Sequence, residues 1–187
     1  MLVKRAMSKN VVSVSVPGNR EKVLDLMRKE DKAVLPVVKG DTKQLVGLIT
    51  RSDLIVNPDE EQIAILMSTD LVTASPDDDV KDVAKKMIDN NVRRVPVVDD
   101  NGDLVGIITS FDLVSNALIK LESDDPVENF MITTVPTTWY KTPLNVAFET
   151  MKQFGLKSVL ALNDSAKLVG ILTETDFIEE SEIISER

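Results

Sequence analysis

A ten-residue stretch that occurs three times decides the fold. It reads LVGLITRSDL from Leu45, LVGIITSFDL from Leu104 and LVGILTETDF from Leu168, with offsets of 59 and then 64 residues. Self-similarity at a nearly fixed period is the signature of a repeat architecture. The sequence therefore predicts three related units of roughly 60 residues each, joined in tandem.

The same elements precede this stretch in every copy. An apolar strand comes directly before it, as VLPVV at residues 34–38, RVPVV at 94–98 and SVLAL at 158–162. Further upstream, each copy has a methionine followed by a short β-like run, beginning at Met7, Met67 and Met131. Because three features recur in the same order, we infer that the repeat covers most of the chain.

A helix is expected between the β-like run and the apolar strand. In the second copy, apolar residues at helical spacing should share one face; they are Val80, Val83, Ala84, Met87 and Ile88. The acidic residues 77–79 suit the N-terminus of this helix, since carboxylates favour the positive end of a helix dipole. Asn19 in the first copy and Thr142 in the third, the latter followed by Pro143, are predicted N-caps.

Each unit then continues with a hairpin and a second helix. Asn101-Gly102 lies between the two strands of the second copy and is typical of a tight hairpin turn. The last helix begins at the T-x-x-D segment, so the unit reads β-α-β-β-α. The predicted fold class is α/β, with units at residues 1–58, 63–121 and 126–182. Because one such unit is too small to bury an adequate core, we expect the first two to pair through their sheets.

Composition limits the chemistry. The chain has no Cys and no His, so disulfides, thiolate nucleophiles, Cys-ligated metals and the commonest general base are missing. An enzyme is therefore not expected, and no catalytic residue or cofactor is required. The acidic residues 77–79 and the loop at residues 99–103 are interpreted as a helix start and a hairpin turn, rather than as Mg²⁺ or Ca²⁺ sites.

Charge and hydropathy limit the partners. The net charge of -9, from 22 basic and 31 acidic residues, repels a nucleic-acid backbone, and the basic residues do not cluster in sequence. No apolar run approaches the roughly 20 residues of a membrane span. The charged N-terminus is unlike a signal peptide. The sequence therefore predicts a cytoplasmic protein without nucleic-acid or membrane contacts.

The apolar strand with its central Pro-Val, followed by G-h-h-T-x-x-D, resembles the CBS domain, in three copies that cover nearly the whole chain. In that family the domains act in tandem pairs, often called Bateman modules, whose clefts commonly bind AMP, ADP, ATP or S-adenosylmethionine. The resemblance implies a regulatory protein that senses such a ligand and passes its state to an effector protein. A ligand-free scaffold that serves oligomerisation is the alternative.

The resemblance also assigns roles to residues. The motif Asp would hold the ribose and the motif Thr would lie near the ribose or phosphate, at Asp53, Asp112, Asp176, Thr50, Thr109 and Thr173. The opening-strand and base-pocket positions are Ser13, Thr73, Val12, Val72, Pro36, Val37, Pro96 and Val97. The candidates for pairing with phosphate are Arg94, Arg93 and Arg51.

Physical chemistry agrees with these roles and also offers a simpler interpretation. A carboxylate accepts both hydroxyls of a ribose as charge-assisted hydrogen bonds, and a helix start presents free N–H groups to phosphate. However, T-x-x-D is also a capping-box pattern that would merely begin a helix. The third copy departs from the family pattern, with Leu160 in place of the strand Pro and Pro136 in place of the opening Val, so its site is the weaker one.

The third copy has no partner within the chain. It would pair with the same unit of a second chain or with a fourth unit, and either arrangement covers apolar surface. We expect a homodimer. Trp139 and Tyr140, the only Trp and Tyr of the chain, are interpreted as packing within this unit, with a partner contact or ring stacking as alternatives.

Overall fold

The computed structural model describes residues 1–118, 126–129 and 131–177. The chain forms two compact units, Met1–Glu122 and Ser123–Arg187. The first unit holds the first two copies of the repeat, and the second unit holds the third copy. Among the described residues, no helix is both long and apolar enough to cross a membrane.

The first repeat is a small three-stranded sheet with two helices. Its elements are β1 (Val14–Val16), α1 (Arg20–Lys29), β2 (Val34–Lys39), β3 (Leu45–Thr50) and α2 (Arg51–Val56). β1 runs parallel to β2, and β2 pairs antiparallel with β3. Asn19 caps α1 as predicted, because its side chain accepts a hydrogen bond from the Lys22 N–H at 3.2 Å. The predicted β-α-β-β-α order is confirmed here.

The second repeat follows the same order, but in its described residues the opening run forms an isolated parallel bridge, between Ala74 and Val97, instead of a strand. Its elements are α3 (Ile63–Leu66), α4 (Val80–Asp89), β4 (Arg94–Val98), β5 (Leu104–Thr109) and α5 (Ser110–Asp112). A π-helical segment continues α5 over Leu113–Leu118. β4 and β5 are antiparallel, and the predicted hairpin turn between them is present, with Gly102 at φ 81°.

Helix α4 buries one stripe of its surface in the second repeat. Val80, Val83 and Met87 are buried as predicted, and Ala84 is partly buried. The prediction was wrong for Ile88, whose side chain is 78% exposed. Because each residue turns an α-helix by about 100°, Ile88 lies at the edge of the buried stripe and points away from the core.

The first two repeats exchange their leading segments. A 3₁₀-helical turn places Val3 and Ala6 in the core of the second repeat. Helix α3 places Ile63 and Leu66 in the core of the first repeat. Each repeat therefore completes its core with the segment that precedes the other repeat in sequence. The two hairpins also meet through a bridge between Gln44 and Asp103, so the predicted pairing of the first two repeats is confirmed.

A methionine anchors each exchanged segment on a glycine of the other repeat. A Cβ on Gly106 would stand 2.5 Å from the Sδ of Met7, and a Cβ on Gly47 would stand 2.5 Å from the Sδ of Met67. A side chain at either glycine would therefore force the methionine to shift, so glycine permits this close approach. The next residue pairs its backbone with the same strand, Ser8 with Ile107 and Ser68 with Leu48.

The third repeat has the same architecture. A 3₁₀ turn at Val127–Asn129 is followed by β6 (Thr137–Trp139), α6 (Leu144–Gln153), β7 (Ser158–Leu162) and β8 (Leu168–Thr173), and residues 174–177 are helical. β6 runs parallel to β7, and β7 pairs antiparallel with β8. Its buried core consists of Ala147, Met151, Val159 and Phe177.

The start of α6 differs from the prediction. The N-cap position falls on Pro143 and not on Thr142, and no side chain caps the helix. The Thr142 hydroxyl instead hydrogen-bonds the Thr138 hydroxyl at 3.1 Å, across the turn that follows β6. The Thr142 side chain, which the sequence predicted to cap α6, therefore stabilises the preceding turn instead.

The aromatic pair of the third repeat packs edge to face. The ring centroids of Trp139 and Tyr140 are 5.6 Å apart. The Trp139 Nε1–H donates to the Asp164 carboxylate at 2.8 Å, and the Lys141 ammonium lies 5.4 Å from the Trp139 ring centroid and 5.0 Å from that of Tyr140. Both rings nevertheless remain nearly half exposed.

Candidate functional site

A cavity of about 310 Å³ lies between the first two repeats. Its volume is at the lower end of the range of small-molecule sites. The first repeat contributes Val11, Val12, Asp31, Lys32, Ala33, Val34 and Pro36, and the second contributes Arg94, Ile107, Thr109 and Asp112. Ser8 and Asn10, which precede the first repeat's sheet, complete the lining. Both repeats build this cleft, so it exists only when they are paired.

Thr109 and Asp112 form a capping box at the start of α5. The Thr109 N–H and hydroxyl donate to Asp112 Oδ2 at 2.8 and 2.6 Å, and the Asp112 N–H donates to the Thr109 hydroxyl oxygen at 3.2 Å. Thr50 and Asp53 form the same bonds at α2, which confirms the capping interpretation of T-x-x-D. Among the described residues, both bonds to the Asp112 carboxylate end on Oδ2, so Oδ1 is the oxygen that a ligand hydroxyl would meet.

The apolar part of the cleft comes from the first repeat. Val34 and Pro36 lie in β2, and Val12 comes two residues before β1, the strand that pairs with β2; all three line the cleft. The T-x-x-D motif of the second repeat is therefore combined with the proline strand of the first repeat, and not with its own. A ligand in this cleft would contact both repeats at once.

Two cationic side chains line the same cleft. Arg94 begins β4, and Lys32 lies in the turn that leads into β2; both are exposed. Asp31, which ends α1 with a left-handed φ of 47°, also lines the cleft, and its carboxylate is 4.0 Å from the Arg51 guanidinium. A ligand phosphate would therefore find two cations here, beside an acidic residue that Arg51 partly compensates.

The other residues singled out in the sequence lie outside this lining. Val37 and Val97 are fully buried in the cores of their repeats, and Pro96 is also buried. Ser13, Val72 and Thr73 are half-buried, and Arg93 is exposed. The cleft thus brings together Val12, Pro36, Arg94, Thr109 and Asp112 from the sequence-based set.

Eight lining residues were not among the predicted site residues; they are Ser8, Asn10, Val11, Asp31, Lys32, Ala33, Val34 and Ile107. Asp31 and Lys32 form the short turn between α1 and β2, and Ile107 is an apolar position of the second repeat's G-h-h-T-x-x-D stretch. The turn and Ile107 belong to different sheets, so the pairing of the two repeats brings them to one cleft. Asn91, which follows α4 at the position that Asp31 has after α1, repeats the left-handed conformation with φ 52°.

The T-x-x-D motif of the third repeat makes the same bonds to its Asp. Thr173 donates from its N–H and its hydroxyl to Asp176 Oδ2 at 2.7 and 2.8 Å. Lys157, which directly precedes β7, bonds the Glu174 carboxylate at 2.8 Å. A basic side chain near this motif is thus engaged by an acidic residue of the motif.

Two carboxyls with a lowered pKa lie at the start of α4, outside the cleft lining. Burial alone would raise the pKa of Asp78, but hydrogen bonds from the Ser75 N–H and the Lys86 ammonium, each 3.1 Å long, outweigh it and lower the pKa. The pKa of Asp79 is lowered chiefly by a hydrogen bond from the Lys81 N–H. The acidic run therefore stabilises a helix start, in agreement with its interpretation from sequence.

The three α/β repeats, two of them joined around a cleft, define the class of protein. The CBS domain family matches the chain three times, at residues 3–58, 61–118 and 127–182. The chain therefore belongs to the CBS domain family, and the resemblance inferred from the repeated motif is confirmed.

Protein MJ1225 of Methanocaldococcus jannaschii is similar to the whole chain. It is 23% identical over 198 residues, which cover 95% of this chain and 70% of MJ1225. Its crystal structure, described as that of a proposed archaeal homolog of g-AMPK, matches with a TM-score of 0.87 at 22% identity, over 96% of this chain and 72% of that chain. At this identity the likeness shows the shared fold.

Two solved CBS domain structures with ligands are similar to part of the chain. The CBS domain pair of MJ0100, in complex with 5′-methylthioadenosine and S-adenosyl-L-methionine, is 33% identical with a TM-score of 0.56, over 60% of this chain and 96% of that chain. CBSX2 in complex with AMP is 22% identical with a TM-score of 0.55, over 60% and 92%. Three further curated relatives are longer, and the chain spans 43%, 44% and 43% of their lengths.

Proposed function

We propose that this chain is a cytoplasmic, non-enzymatic regulatory protein that binds an adenosine-type ligand in the cleft of its first unit. The composition of that cleft carries the proposal, since it combines the oriented carboxylate of Asp112 with an apolar wall and two cations. The complexes of MJ0100 with S-adenosyl-L-methionine and 5′-methylthioadenosine, and of CBSX2 with AMP, support an adenosine ligand.

The lining suggests one orientation for the ligand. The adenine ring lies against Val12 and Pro36, where apolar area is available for burial. The ribose hydroxyls donate to Oδ1 of Asp112 as charge-assisted hydrogen bonds. Phosphates lie near Lys32 and Arg94, and these cations favour AMP, ADP or ATP over S-adenosylmethionine, whose sulfonium is positively charged.

The repeat relation suggests a second site of the same kind. It would place Thr50 and Asp53 of the first repeat with Val72, Thr73 and Pro96 of the second, with Ser13, Val37 and Val97 packed behind the two walls. Its cations differ in position, because Val92 and Val34 stand where Lys32 and Arg94 stand, whereas Arg93 and Arg94 stand where Ala33 and Val34 stand. We therefore expect the second site to accept a phosphorylated ligand as well.

Regulation follows from the composite cleft. A ligand that contacts both repeats favours one arrangement of the pair, and only a difference in affinity between two arrangements shifts their populations. An effector protein would read that arrangement. The third repeat would hold the protein as a homodimer and leave the cleft of the first unit free to respond.

A thermal-shift panel with AMP, ADP, ATP, S-adenosylmethionine and GTP tests the proposal. At a ligand concentration of 100 times Kd, binding stabilises the folded state by about 2.7 kcal/mol, which raises Tm by roughly 5 °C or more for a chain of this size. We expect the shift with an adenine nucleotide. Asp112→Asn or Arg94→Gln should reduce it, and Asp112→Asn combined with Asp53→Asn should abolish it. Calorimetric titration of the same proteins gives the number of sites.

Asp176→Asn is the matched control for Asp112→Asn. It removes the same capping bonds from the third repeat, where no site is proposed, so its ligand response should equal that of the wild-type protein. A flat panel with a folded protein would contradict the sensor. It would favour the alternative, a ligand-free scaffold, because capping boxes account for the first two T-x-x-D segments and bonds from Thr173 to Asp176 account for the third without any ligand.

A further inference from the structure

The third repeat contains the two parts of the segment exchange that joins the first two repeats. Met131 stands where Met7 and Met67 stand, and Gly170 stands where Gly106 and Gly47 stand, with the same offsets of about 60 residues between copies. The 3₁₀ turn at Val127–Asn129 likewise matches the turn at Val3–Arg5. The third repeat therefore has both a donor segment and an acceptor strand.

The donor segment of the third repeat is not buried. Val127 is 75% exposed, whereas the equivalent residues Val3 and Ile63 are 0% and 1% exposed because each lies in the core of the other repeat. Met131 and Ile132 are also exposed. A segment built like the two buried ones thus presents its apolar side chains to solvent, which costs about 25 cal/mol for each Å² of apolar area left unburied.

The acceptor strand is equally uncovered. Apart from Gly170 and its two chain neighbours, no atom of the described residues lies within 4 Å of the position that a Cβ on Gly170 would take. Leu168, Val169 and Ile171, which surround Gly170 in β8, are 61%, 53% and 60% exposed. Exposed apolar side chains clustered along one strand are typical of a protein interaction surface.

We propose that the third repeat dimerises with the third repeat of a second copy of this chain, with Met131 of each copy lying on Gly170 of the other. Val127 of each copy then enters the core of the other repeat, as Val3 and Ile63 do within the first unit. The inference rests on the homodimer of the proposed function, to which it gives a contact, and it does not depend on the proposed ligand.

A second copy is the occupant that the surface fits. Donor and acceptor are on the same repeat, so two copies related by a two-fold axis satisfy both parts at once, which is the property of a closed isologous interface. The residues that would meet are uncharged, Val127 and Met131 of one copy and Leu168, Gly170 and Ile171 of the other.

Cysteine cross-linking of the full chain tests this contact, because the native chain has no Cys. Met131→Cys and Gly170→Cys are made in two separate copies, one of them carrying a tag that changes its size. When the two proteins are mixed and oxidised, we expect a disulfide that links one tagged and one untagged chain. Neither variant alone should give that product in comparable yield.

The first unit supplies the positive control. Met7→Cys with Gly106→Cys in one chain should form an internal disulfide, since the native side chain of Met7 lies on Gly106. An internal bond in this control, combined with no bond between Met131→Cys and Gly170→Cys copies, overturns the proposal. It would leave the surface to a different chain or to a further repeat.

Sedimentation equilibrium gives a second, independent readout. The wild-type chain should have twice its mass of 20.7 kDa at tens of micromolar, and Val127→Asp should bring it to the single-chain mass. Because Val127 is exposed in the single chain, this change does not disturb a folded core, and circular dichroism should be unchanged. A wild-type protein that remains at the single-chain mass at these concentrations overturns the proposal.

Discussion

The last strands of the first and third repeats have almost the same sequence and very different surroundings. β3 reads LVGLIT and β8 reads LVGILT, yet β3 has two buried and four half-buried residues, whereas the first four residues of β8 are exposed. The difference comes from the leading segment of the neighbouring repeat, which covers β3. In a repeat protein, the burial of a strand is thus decided by what the adjacent repeat places on it.

The largest effect should come from truncating the buried residue of each strand. Ile49 is 0% exposed, and Leu172, at the equivalent position, is only partly buried. Ile49→Ala should lower the free energy of unfolding by about 3 kcal/mol and Leu172→Ala by about 1 kcal/mol, because a cavity costs more where the surroundings are closed. Urea unfolding of the two variants measures both values. Equal losses would show that coverage does not separate the two strands.

The second-largest difference in stability should come from adding one methyl group to the second repeat and to the third. Gly106→Ala places a Cβ 2.5 Å from the Sδ of Met7 and 3.1 Å from the Ser8 carbonyl oxygen, and such overpacking costs about 1–3 kcal/mol. Gly170→Ala meets no described atom, so at concentrations too low for association its stability should lie within about 0.5 kcal/mol of wild type. Thermal unfolding of both variants at low micromolar concentration makes the comparison. A Gly170→Ala loss as large as that of Gly106→Ala would contradict it.

The smallest effect concerns acid stability, for which the first unit has a partly buried ion pair. The pKa of Asp78 is lowered below its ordinary value of 3.8, so its contribution is complete above that value and is lost as the pH falls through the folded-state pKa. The carboxylate is about one-third exposed, and the effect should be under 1 kcal/mol.

Asp78→Asn should therefore reduce the difference in unfolding free energy between pH 7 and pH 3. Asp100→Asn, at an exposed loop position, is the control for losing one carboxylate. Urea titrations at the two pH values provide the test, and an unchanged difference in Asp78→Asn would mean that the pair with Lys86 does not contribute.

Local features of the fold were predictable from the sequence. The repeat is visible directly in the sequence. The cap at Asn19, the turn at Gly102 and the capping boxes each depend on residues within a few positions of one another. Thr142 was mistaken for a cap because its hydroxyl bonds Thr138 across a turn. Ile88 was mistaken for a core residue because it lies at the edge of an apolar stripe.

The sequence predicted the motif residues of the site but did not predict which repeats combine to form it. Thr109, Asp112 and Arg94 follow from the pattern around the second repeat, but their combination with Pro36 of the first repeat depends on how the two repeats pair. Lys32 has no motif at all and reaches the cleft through the position of one turn. The pairing of repeats belongs to tertiary structure. The period of the repeat in the sequence does not tell which copy completes the core or the cleft of another copy.

The exchange of leading segments has a consequence for synthesis on the ribosome. Val3 leaves the ribosome about a hundred residues before Ile108 and Leu113, which belong to the core that receives it. At about 5–20 residues per second, the segment around Val3 must wait roughly 5–20 seconds before its binding partner has been made. During that time its apolar side chains are available to chaperones or to a neighbouring nascent chain, so the order of translation is itself a constraint on how this protein reaches its native state.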